Sequence, residues 1–363
     1  MKKNKNYVDL KDQPVPEGQH LLEVDDLKMY FHTEDGVVRA VDGVSYTLDR
    51  GETLGVVGES GSGKSVTAMT IMGLISMPPG KIEGGDVRYR GRSILEMTEE
   101  EMQHIRGNDI AMIFQDPMTS LNPVYKIGKQ VGEGLRLHRG YSKQEALKRA
   151  TELLALVGIP EPEKRVNEYP HQFSGGMRQR VMIAMALACD PDILIADEPT
   201  TALDVTIQAQ IIELMQEMQE KNGNAIIMIT HDLGVVADIA DKIMVMYAGR
   251  PVEFGTAEEI FYESRHPYTW GLIRSIPEQA IDEKKPLTPI HGNPPSLMNL
   301  PEGCVFSPRC PYATDKCRKQ RPERVVTESG HYSACHYSGD PEFLKNAPET
   351  SRTRKDSKKG GEA

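Results

Sequence analysis

Residues Gly58 to Ser65 have the types and spacing of a phosphate-binding loop. Their sequence, GESGSGKS, fits the pattern GxxxxGK[ST] and stands between an apolar strand-like segment and a helix-like segment. Glycines let backbone N–H groups turn inward around phosphate oxygens, and the start of the next helix adds positive potential. Lys64 would reach the β- and γ-phosphates, and Ser65 would help to hold Mg²⁺. A glycine-rich turn with a chance lysine is the alternative, which the flanking segments disfavour. The residues expected to contact a nucleotide are Gly58, Ser60, Gly61, Ser62, Gly63, Lys64, Ser65 and Thr67.

Two adjacent carboxylates follow an apolar segment further along the chain. Ile193–Ala196 is typical of a buried strand, and Asp197 and Glu198 stand at its end. A carboxylate in that position suits Mg²⁺ binding, directly or through water. Glu198 is then placed to polarise a water molecule for attack on a γ-phosphate. An acidic turn that merely ends a strand is the alternative, and the phosphate-binding loop upstream disfavours it.

Ser174, Gly175 and Gly176 form a second candidate anion site. They precede an apolar helix-like segment, and a serine with two glycines at a helix start can bind an anion. An ordinary helix cap is the alternative. His231 follows the apolar segment Ala225–Thr230, and a strand beside the acidic one would bring this histidine near the γ-phosphate. A histidine packed in the core is its alternative.

Four of the five cysteines lie near the C-terminus at the spacing C-x5-C-x6-C-x17-C: Cys304, Cys310, Cys317 and Cys335. Cys189 stands apart in an apolar segment and is expected in the core. Clustered thiols in a reducing compartment indicate metal binding. The close C-x2–4-C pairs of structural zinc sites are missing, so the spacing favours a [4Fe–4S] cluster. Zinc, with His331 or His336 as a substitute ligand, and free thiols are the alternatives.

The segments that carry these residues alternate between strand and helix patterns. Apolar runs and period-two alternation predict the strands Leu21–Phe31, Arg39–Leu48, Thr53–Val57, Ile193–Ala196 and Ala225–Thr230. Helical patterns cover Ser65–Leu74, Ser93–Gly107, Lys126–Gly158 and Ile207–Lys221. A hairpin fits Ile243–Tyr247 and Val252–Phe254. Strands joined by helices predict an α/β fold with a parallel sheet.

Length and composition restrict the class of protein. The chain has 363 residues, of which 39% are apolar and 26% charged, which predicts a globular protein of two or three units. The formal net charge of −10 argues against an open nucleic-acid surface, so we expect no nucleic-acid partner. The longest apolar run, Val181 to Cys189, is too short to cross a bilayer, and the polar N-terminus is unlike a secretory signal. We therefore expect a location in the cytoplasm.

Changes of character along the chain predict its organisation. Residues 1–20 are polar, contain prolines, and are predicted to form a flexible leader. Prolines become frequent past residue 265 and the cysteines follow, so we expect a domain boundary there and a small irregular Cys-rich domain over 266–339. Residues 340–363 are rich in Lys, Glu and Ser without apolar periodicity and are predicted to be disordered.

Several motifs stand in the order found in one family. Phe173 to Arg180 read FSGGMRQR, which resembles the LSGGQ signature of the ATP-binding subunits of ABC transporters, in the form usual among oligopeptide/dipeptide importers. Gln115 in FQDP matches the Q-loop, Asp204 in TALD the D-loop, and His231 in ITHD the switch histidine. Phe31 matches the aromatic residue that stacks on adenine, with neighbouring Tyr30 as the rival. The resemblance covers about residues 20–340.

The resemblance implies an α/β fold and roles for these residues. The fold is a P-loop ABC-type nucleotide-binding domain over 21–265, with a helical subdomain over about 95–180. Gln115 would bind Mg²⁺ and report between the nucleotide and a permease. The segment Ser174–Gly176 would bind the γ-phosphate of ATP held by a partner subunit, and Asp204 would lie at the dimer seam.

The resemblance also implies an enzyme that hydrolyses ATP, with Mg²⁺, to drive uptake of oligopeptides or dipeptides. The implied partners are a homologous second ATPase subunit in a heterodimer, two permease subunits and an extracytoplasmic solute-binding protein. The implied location is peripheral, on the cytoplasmic face of the cell membrane. The region from His266 onward resembles the C-terminal extension of these importers, some of which carry an iron–sulfur cluster there. A nickel, metallophore or other solute importer, a non-transport ABC ATPase and a nucleotide-binding regulator are the alternatives.

Overall fold

The structure is a computed structural model that describes residues 10–116, 120–199, 205–276 and 289–348. Its strands form two sheets, one antiparallel and one largely parallel. None of the helices in these ranges is long and apolar enough to span a membrane. The α/β fold expected from the sequence is confirmed.

The antiparallel sheet has four strands in the order β2-β1-β4-β5. Its strands are β1 (Leu22–Thr33), β2 (Gly36–Leu48), β4 (Gly80–Tyr89) and β5 (Arg92–Ser93). Strands β1 and β2 were predicted from the sequence, whereas β4 and β5 were not. Strand β4 contains three glycines and charged residues, which weaken the strand pattern in its sequence. Its long pairing with β1 stabilises the strand instead.

The larger sheet has eight strands in the order β11-β12-β10-β9-β3-β8-β7-β6. They are β3 (Thr53–Val57), β6 (Ile110–Ile113), β7 (Ile193–Asp197), β8 (Ala225–Thr230), β9 (Lys242–Tyr247), β10 (Arg250–Thr256), β11 (Val325–Val326) and β12 (Tyr332–Ser333). The strands from β9 to β6 are parallel, and β10, β12 and β11 continue the sheet with antiparallel pairing. Parallel strands buried on both faces explain the continuous apolar runs in the sequence.

Helices cover both faces of this sheet and form a separate group after β6. In chain order they are α1 (Lys64–Ile71), α2 (Glu99–Ile105), α3 (Ile127–Val131), α4 (Glu133–His138), α5 (Lys143–Leu156), α6 (Pro162–Arg165), α7 (Gly175–Leu187), α8 (Val205–Asn222), α9 (Leu233–Ile239), α10 (Ala257–Tyr262), α11 (Pro267–Arg274), α12 (Asp315–Lys319) and α13 (Pro341–Leu344). Helices α2 and α5 begin with capping boxes, in which the Thr98 and Ser142 hydroxyls accept backbone N–H groups.

Two apolar cores hold these layers together. One lies between the two sheets and includes Leu27, Met29 and Ile195. The other packs the opposite face of the large sheet against the helices of the 127–187 segment and against the C-terminal region through Phe306. Because both cores are built on the same parallel strands, the strand ends that carry the polar residues are held rigidly.

Residues near both ends of the described range pack against the rest of the fold. Leu10, in the predicted flexible leader, is buried in the first core, and the Lys11 ammonium donates to the Cys189 carbonyl oxygen. In the predicted disordered tail, Phe343 on α13 packs against Trp270, with ring centroids 5.3 Å apart. A single apolar residue holds each of these segments in place. One apolar residue creates no helix-like or strand-like periodicity in the sequence, so the packing could not be predicted from it. The predicted boundary near residue 265 falls between α10 and α11, and the large sheet continues beyond it through β12.

Candidate nucleotide-binding site

The phosphate-binding loop lies between β3 and α1, as the sequence predicts. Gly58 and Gly63 have backbone φ angles of +152° and +97°, values that L side chains rarely adopt. A Cβ atom at Gly58 would lie 2.2 Å from the Met246 carbonyl oxygen, and one at Gly63 would lie 2.2 Å from that of Ala40. The two glycines are therefore required by space as well as by backbone conformation.

The rest of the loop opens toward solvent. Ser60 and Gly61 are exposed, and Gly61 has φ +75°. The Ser62 hydroxyl is buried and has no hydrogen-bond partner among the described residues. The Thr67 hydroxyl donates to the Gly63 carbonyl oxygen at 2.9 Å, which ties helix α1 to the loop. An open loop with a spare buried hydroxyl is suited to receiving an oxygen-rich ligand.

Lys64 lies at the base of the loop and is 5% exposed. Its Nζ donates to the carbonyl oxygens of Gly58 at 2.6 Å and Glu59 at 3.0 Å. Burial lowers the pKa of this ammonium, and the carboxylates of Glu198, Asp197 and Glu59 oppose that shift. Among the described residues, the hydrogen bonds of this buried cation go to carbonyl groups, and it is poised to exchange them for phosphate oxygens, which carry more negative charge.

Ser65 and Asp197 meet across the site. The Ser65 hydroxyl donates to Asp197 Oδ1 at 3.0 Å, and Asp197 is 4% exposed at the end of β7. Burial raises the pKa of this carboxyl group, and the Ser65 hydrogen bond opposes the shift. One hydroxyl and one carboxylate are a fitting protein contribution to a Mg²⁺ site, because this ion usually keeps water and phosphate oxygens as its other ligands.

Glu198 joins two polar residues from neighbouring parts of the sheet. Gln115 Nε2 donates to Glu198 Oε2 at 2.9 Å, and His231 Nδ1 lies 3.3 Å from Glu198 Oε1. Glu198 itself is held in the left-handed backbone region, with φ +47°. The three predicted catalytic residues therefore meet at the carboxyl ends of adjacent parallel strands, beside the phosphate-binding loop.

The signature segment lies at the solvent-exposed start of its own helix, α7. The Ser174 hydroxyl accepts the Met177 N–H at 3.3 Å and so caps α7, while Ser174 and Gly175 are exposed. Helix α7 is thirteen residues long, and its exposed N-terminus carries positive potential. An ordinary cap and an anion site are compatible here, because the capping hydroxyl leaves the first backbone N–H groups of the helix available.

Two predicted residues keep their roles as predictions. Phe31 is partly buried against the first core near the end of β1, an inner strand of the antiparallel sheet. Tyr30 is the alternative candidate for this role. Its hydroxyl donates to Asp42 Oδ1 at 2.9 Å and so already has a hydrogen-bond partner. Asp204 lies outside the described residues.

The four C-terminal cysteines line one small cavity together with His266 and His336. Burial raises the pKa of the Cys304 thiol, that of Cys310 to about 11 and that of Cys335 to about 12. Within the part of the chain that the structure describes, no three His, Cys, Asp or Glu side chains are grouped so that they could hold a metal ion. The metal centre expected from the cysteine spacing is therefore not confirmed, and neither is a Cys-rich domain built around it. The spacing indicated that the thiols converge but could not fix the distances between them.

The sequence analysis missed two residues that touch the phosphate-binding loop. Arg309 forms an ion pair with Glu59 at 2.6 Å, and the Tyr268 hydroxyl accepts the Glu59 N–H at 2.9 Å. Both belong to the C-terminal region, more than 200 positions from the loop. No sequence motif identifies Arg309 or Tyr268 as contacts of the loop. The charge of Glu59 inside the loop was the one feature of the sequence that indicated a need for a charged or polar partner.

Comparison with known proteins agrees with this geometry. The family model for ABC transporters matches residues 41–201, and that for the oligopeptide/dipeptide transporter C-terminal region matches residues 252–317. The oligopeptide transport ATP-binding protein OppD of Bacillus subtilis strain 168 is 58% identical over 312 residues, 86% of this chain and 87% of that protein. The dipeptide transport ATP-binding protein DppD of Escherichia coli strain K12 is 52% identical over 320 residues, 88% of this chain and 97% of that protein.

A solved structure with a similar fold supports the same assignment. The ATP-binding cassette MJ0796, in a dimeric post-hydrolysis state bound to ADP and phosphate, aligns with a TM-score of 0.60 and 29% identity. The alignment covers 65% of this chain and 98% of the cassette. The identity to the two peptide-transport proteins extends over most of this chain. The chain therefore belongs to the ABC transporter ATPases, in the family of the oligopeptide and dipeptide transport ATP-binding proteins.

Proposed function

We propose that the chain is the ATP-hydrolysing subunit of an ABC importer for oligopeptides or dipeptides. The observation that carries the ATPase role is the meeting of Gln115, Glu198 and His231 beside the phosphate-binding loop. The peptide role is supported by the match of residues 252–317 to the C-terminal region of oligopeptide/dipeptide transporters. Hydrolysis of each ATP would drive a conformational change, which the helical subdomain over about 95–180 would pass to the permease.

The proposed reaction is in-line attack of water on the γ-phosphate, in which the new bond from the water oxygen to phosphorus forms as the bond to the bridging oxygen of ADP breaks, so that ADP and phosphate leave. Glu198 accepts the proton of the attacking water, and the hydrogen bond from Gln115 orients its carboxylate. Lys64 leaves the loop carbonyl groups to contact the β- and γ-phosphates. Mg²⁺, when bound, neutralises charge that develops on the phosphate oxygens, and Ser65, Asp197 and Gln115 would hold it. His231, 61% exposed on its side chain, faces the γ-phosphate from the solvent side.

The complete site requires a second ATPase subunit. The exposed segment Ser174–Gly176 binds the γ-phosphate of ATP held by that subunit, through the N-terminus of α7. We propose a homologous but different chain as this partner, with Asp204 at the seam. Phe31 supplies the π-face for the adenine ring. The dimeric state of the related cassette structure supports a paired arrangement.

The proposed assembly also contains two permease subunits and an extracytoplasmic solute-binding protein. The chain then works at the cytoplasmic face of the membrane as a peripheral subunit. An importer of nickel, of a metallophore or of another solute would use the same ATPase geometry, because this subunit does not touch the solute. The match of the C-terminal region favours peptides.

Purification from native membranes tests this function. We expect the tagged chain to bring down a second ATPase and two membrane subunits, identified by mass spectrometry. In proteoliposomes that also contain the binding protein, short peptides should stimulate ATP hydrolysis and accumulate, and a Lys64→Ala complex should do neither. Stimulation by a nickel chelate but not by peptides would move the assignment to another solute. Purification without membrane subunits would favour a non-transport ATPase.

We also propose that the four C-terminal thiols hold a [4Fe–4S] cluster. The support is that all four line one cavity, three of them outside regular secondary structure and Cys317 on the short helix α12. Because metals bind thiolates, cluster assembly must first remove the protons that the raised pKa values of Cys310 and Cys335 retain.

Elemental analysis after anaerobic purification tests the cluster. We expect iron and inorganic sulfide near one cluster per chain, and the replacement of any one of the four cysteines by serine should lower both. Cys189→Ser is the matched control, because Cys189 is buried elsewhere, near Arg139, and should leave the iron content unchanged. One zinc per chain without sulfide would replace the cluster by a zinc site, and the absence of any metal would leave four free thiols.

A further inference from the structure

Arg309 connects the C-terminal region to the phosphate-binding loop. Its side chain is 4% exposed, and its two terminal nitrogens donate to the two carboxylate oxygens of Glu59 at 2.6 Å and 2.9 Å. Glu59 is the second residue of the loop and follows Gly58 directly. A bidentate guanidinium–carboxylate contact fixes the orientation of the carboxylate and also pairs its charge. It therefore holds the Glu59 side chain in one orientation.

The remaining donors of Arg309 are also occupied. Its guanidinium donates to the hydroxyl of Tyr247 at 3.3 Å and to the carbonyl oxygens of Ile290 at 3.1 Å and His291 at 2.9 Å. Together with the two bonds to Glu59, these contacts match the five N–H groups of a guanidinium. Arg309 is therefore built into the fold and does not sample alternative partners at the surface.

Tyr268 holds the backbone of the same loop residue. Its hydroxyl oxygen accepts the Glu59 N–H at 2.9 Å, and its fully buried ring packs on Tyr247 and Phe306, with centroids 4.7 Å and 5.4 Å away. The Glu59 carbonyl oxygen accepts from Lys64. When Lys64 turns to bound phosphates this last contact is lost, and the side chain and N–H of Glu59 remain held by the C-terminal region alone.

We propose that Arg309 is a positioning residue for ATP binding, which acts by fixing and neutralising Glu59 in the phosphate-binding loop. A carboxylate beside the phosphates of ATP opposes binding unless its charge is compensated, because like charges at short range repel. The paired guanidinium removes this penalty, and the Tyr268 hydroxyl keeps the loop backbone in the receiving shape. The C-terminal region thus contributes to the nucleotide site without touching the nucleotide.

ATP affinity of the purified full-length chain tests this inference. We expect Arg309→Gln to weaken ATP binding by about tenfold or more, because truncation leaves the half-buried Glu59 charge unpaired. Glu59→Gln is the second single variant of the cycle, and its ATP affinity is measured as the reference for the double variant. The double variant Arg309→Gln/Glu59→Gln should recover most of the lost affinity, since it no longer has a charge to neutralise. In the transporter, Arg309→Gln should raise KM for ATP with little change in kcat.

Arg318→Gln is the matched control. Arg318 lies in the same region, is exposed and pairs at the surface with Asp315, so its loss should leave ATP affinity unchanged. Wild-type affinity in Arg309→Gln overturns the proposal, and so does a double variant as weak as the single one, which would mean that Arg309 supports only the fold. If Arg309→Gln does not fold, Arg309→Lys takes its place, because lysine keeps the charge but loses the two-pronged contact. A loss of affinity that Glu59→Gln relieves is expected there too, and unchanged affinity contradicts the proposal.

Discussion

Glu198 is the residue whose backbone most clearly indicates a functional constraint. A glutamate with φ +47° is uncommon, because its Cβ crowds the backbone in the left-handed region. The conformation is kept in place by the Glu198 N–H, which donates to the Ile229 carbonyl oxygen at 2.9 Å, and by the side-chain contacts to Gln115 and His231. At the residue scale the site is thus preorganised before any nucleotide binds.

Replacement of Glu198 by glutamine separates chemistry from binding. The amide keeps the size and most contacts of the carboxylate but accepts a proton poorly, so we expect ATP hydrolysis by the transporter to fall by about 10²–10⁴-fold. ATP affinity should change little, and the closed dimer should accumulate. Steady-state hydrolysis and equilibrium ATP binding measure the two effects. Glu217→Gln, on the exposed side of α8, is the control, and wild-type turnover in Glu198→Gln would remove Glu198 from the role of base.

Among the elements, the start of α11 is the most closely tied to the rest of the fold. His266 precedes the helix, and its Nδ1 accepts the Tyr268 N–H at 3.1 Å, so a neutral imidazole caps the helix that carries Tyr268. The backbone N–H groups of Arg265 and His266 donate to the buried Glu253 carboxylate on β10. Burial lowers the pKa of His266 from 6.5 to about 3. Protonation would therefore remove the cap and bury a charge.

Acid should destabilise the fold through this histidine. Between pH 6.5 and about 3 the unfolded chain binds a proton at His266 that the folded chain does not, so stability falls as pH decreases through this window. The contribution of one such group is at most about 1.4 kcal/mol per pH unit. His266→Asn, which can still cap a helix, should lose less free energy of unfolding between pH 7 and pH 5 in urea titrations. The exposed His171→Asn should behave as the wild type, and equal pH dependence of the His266 variant and the wild type would contradict the assignment.

At the scale of the whole molecule, the C-terminal region and the nucleotide-binding core form one sheet. Strand β12 pairs with β10, with Phe254 opposite Tyr332, and β11 continues the edge. Arg309 and Tyr268 reach from this region to the loop after β3. The exposed Ser174 at the start of α7 is presented on the surface, where another subunit can approach it.

An incomplete site predicts that hydrolysis depends on assembly. Because Ser174 is proposed to contact ATP held by a partner subunit, we expect the isolated chain to hydrolyse ATP slowly, with a specific activity that rises with protein concentration. Addition of the partner ATPase and the permease should raise the rate further. Ser174→Arg should abolish this stimulation while ATP binding to the isolated chain is unchanged. Ser142→Arg is the control, because Ser142 is also an exposed capping serine, at the start of α5. A full rate in dilute isolated chain, independent of concentration, would mean that the site is complete in one subunit.

Local sequence patterns are enough to predict the chemistry of the nucleotide site. The phosphate-binding loop is a continuous segment whose glycines are fixed by local backbone angles, so its geometry is encoded locally. Apolar strands followed by polar residues predicted where Asp197, Glu198 and His231 would stand, because parallel strands end at one edge of a sheet. The central strands β3, β7 and β8 agree with the predicted ranges for the same reason.

Only the tertiary structure decided which distant segments support that site. Glu59 and Arg309 are 250 positions apart, and nothing in either local sequence indicates the other. Leu10 and Phe343 enter the packed structure as single apolar anchors, which leave no periodic pattern. The cysteine spacing predicted convergence on one cavity, whereas the separation needed to hold a metal depends on loop conformations. Local motifs fix backbone shape and chemistry, but contacts between distant segments depend on how the whole chain packs.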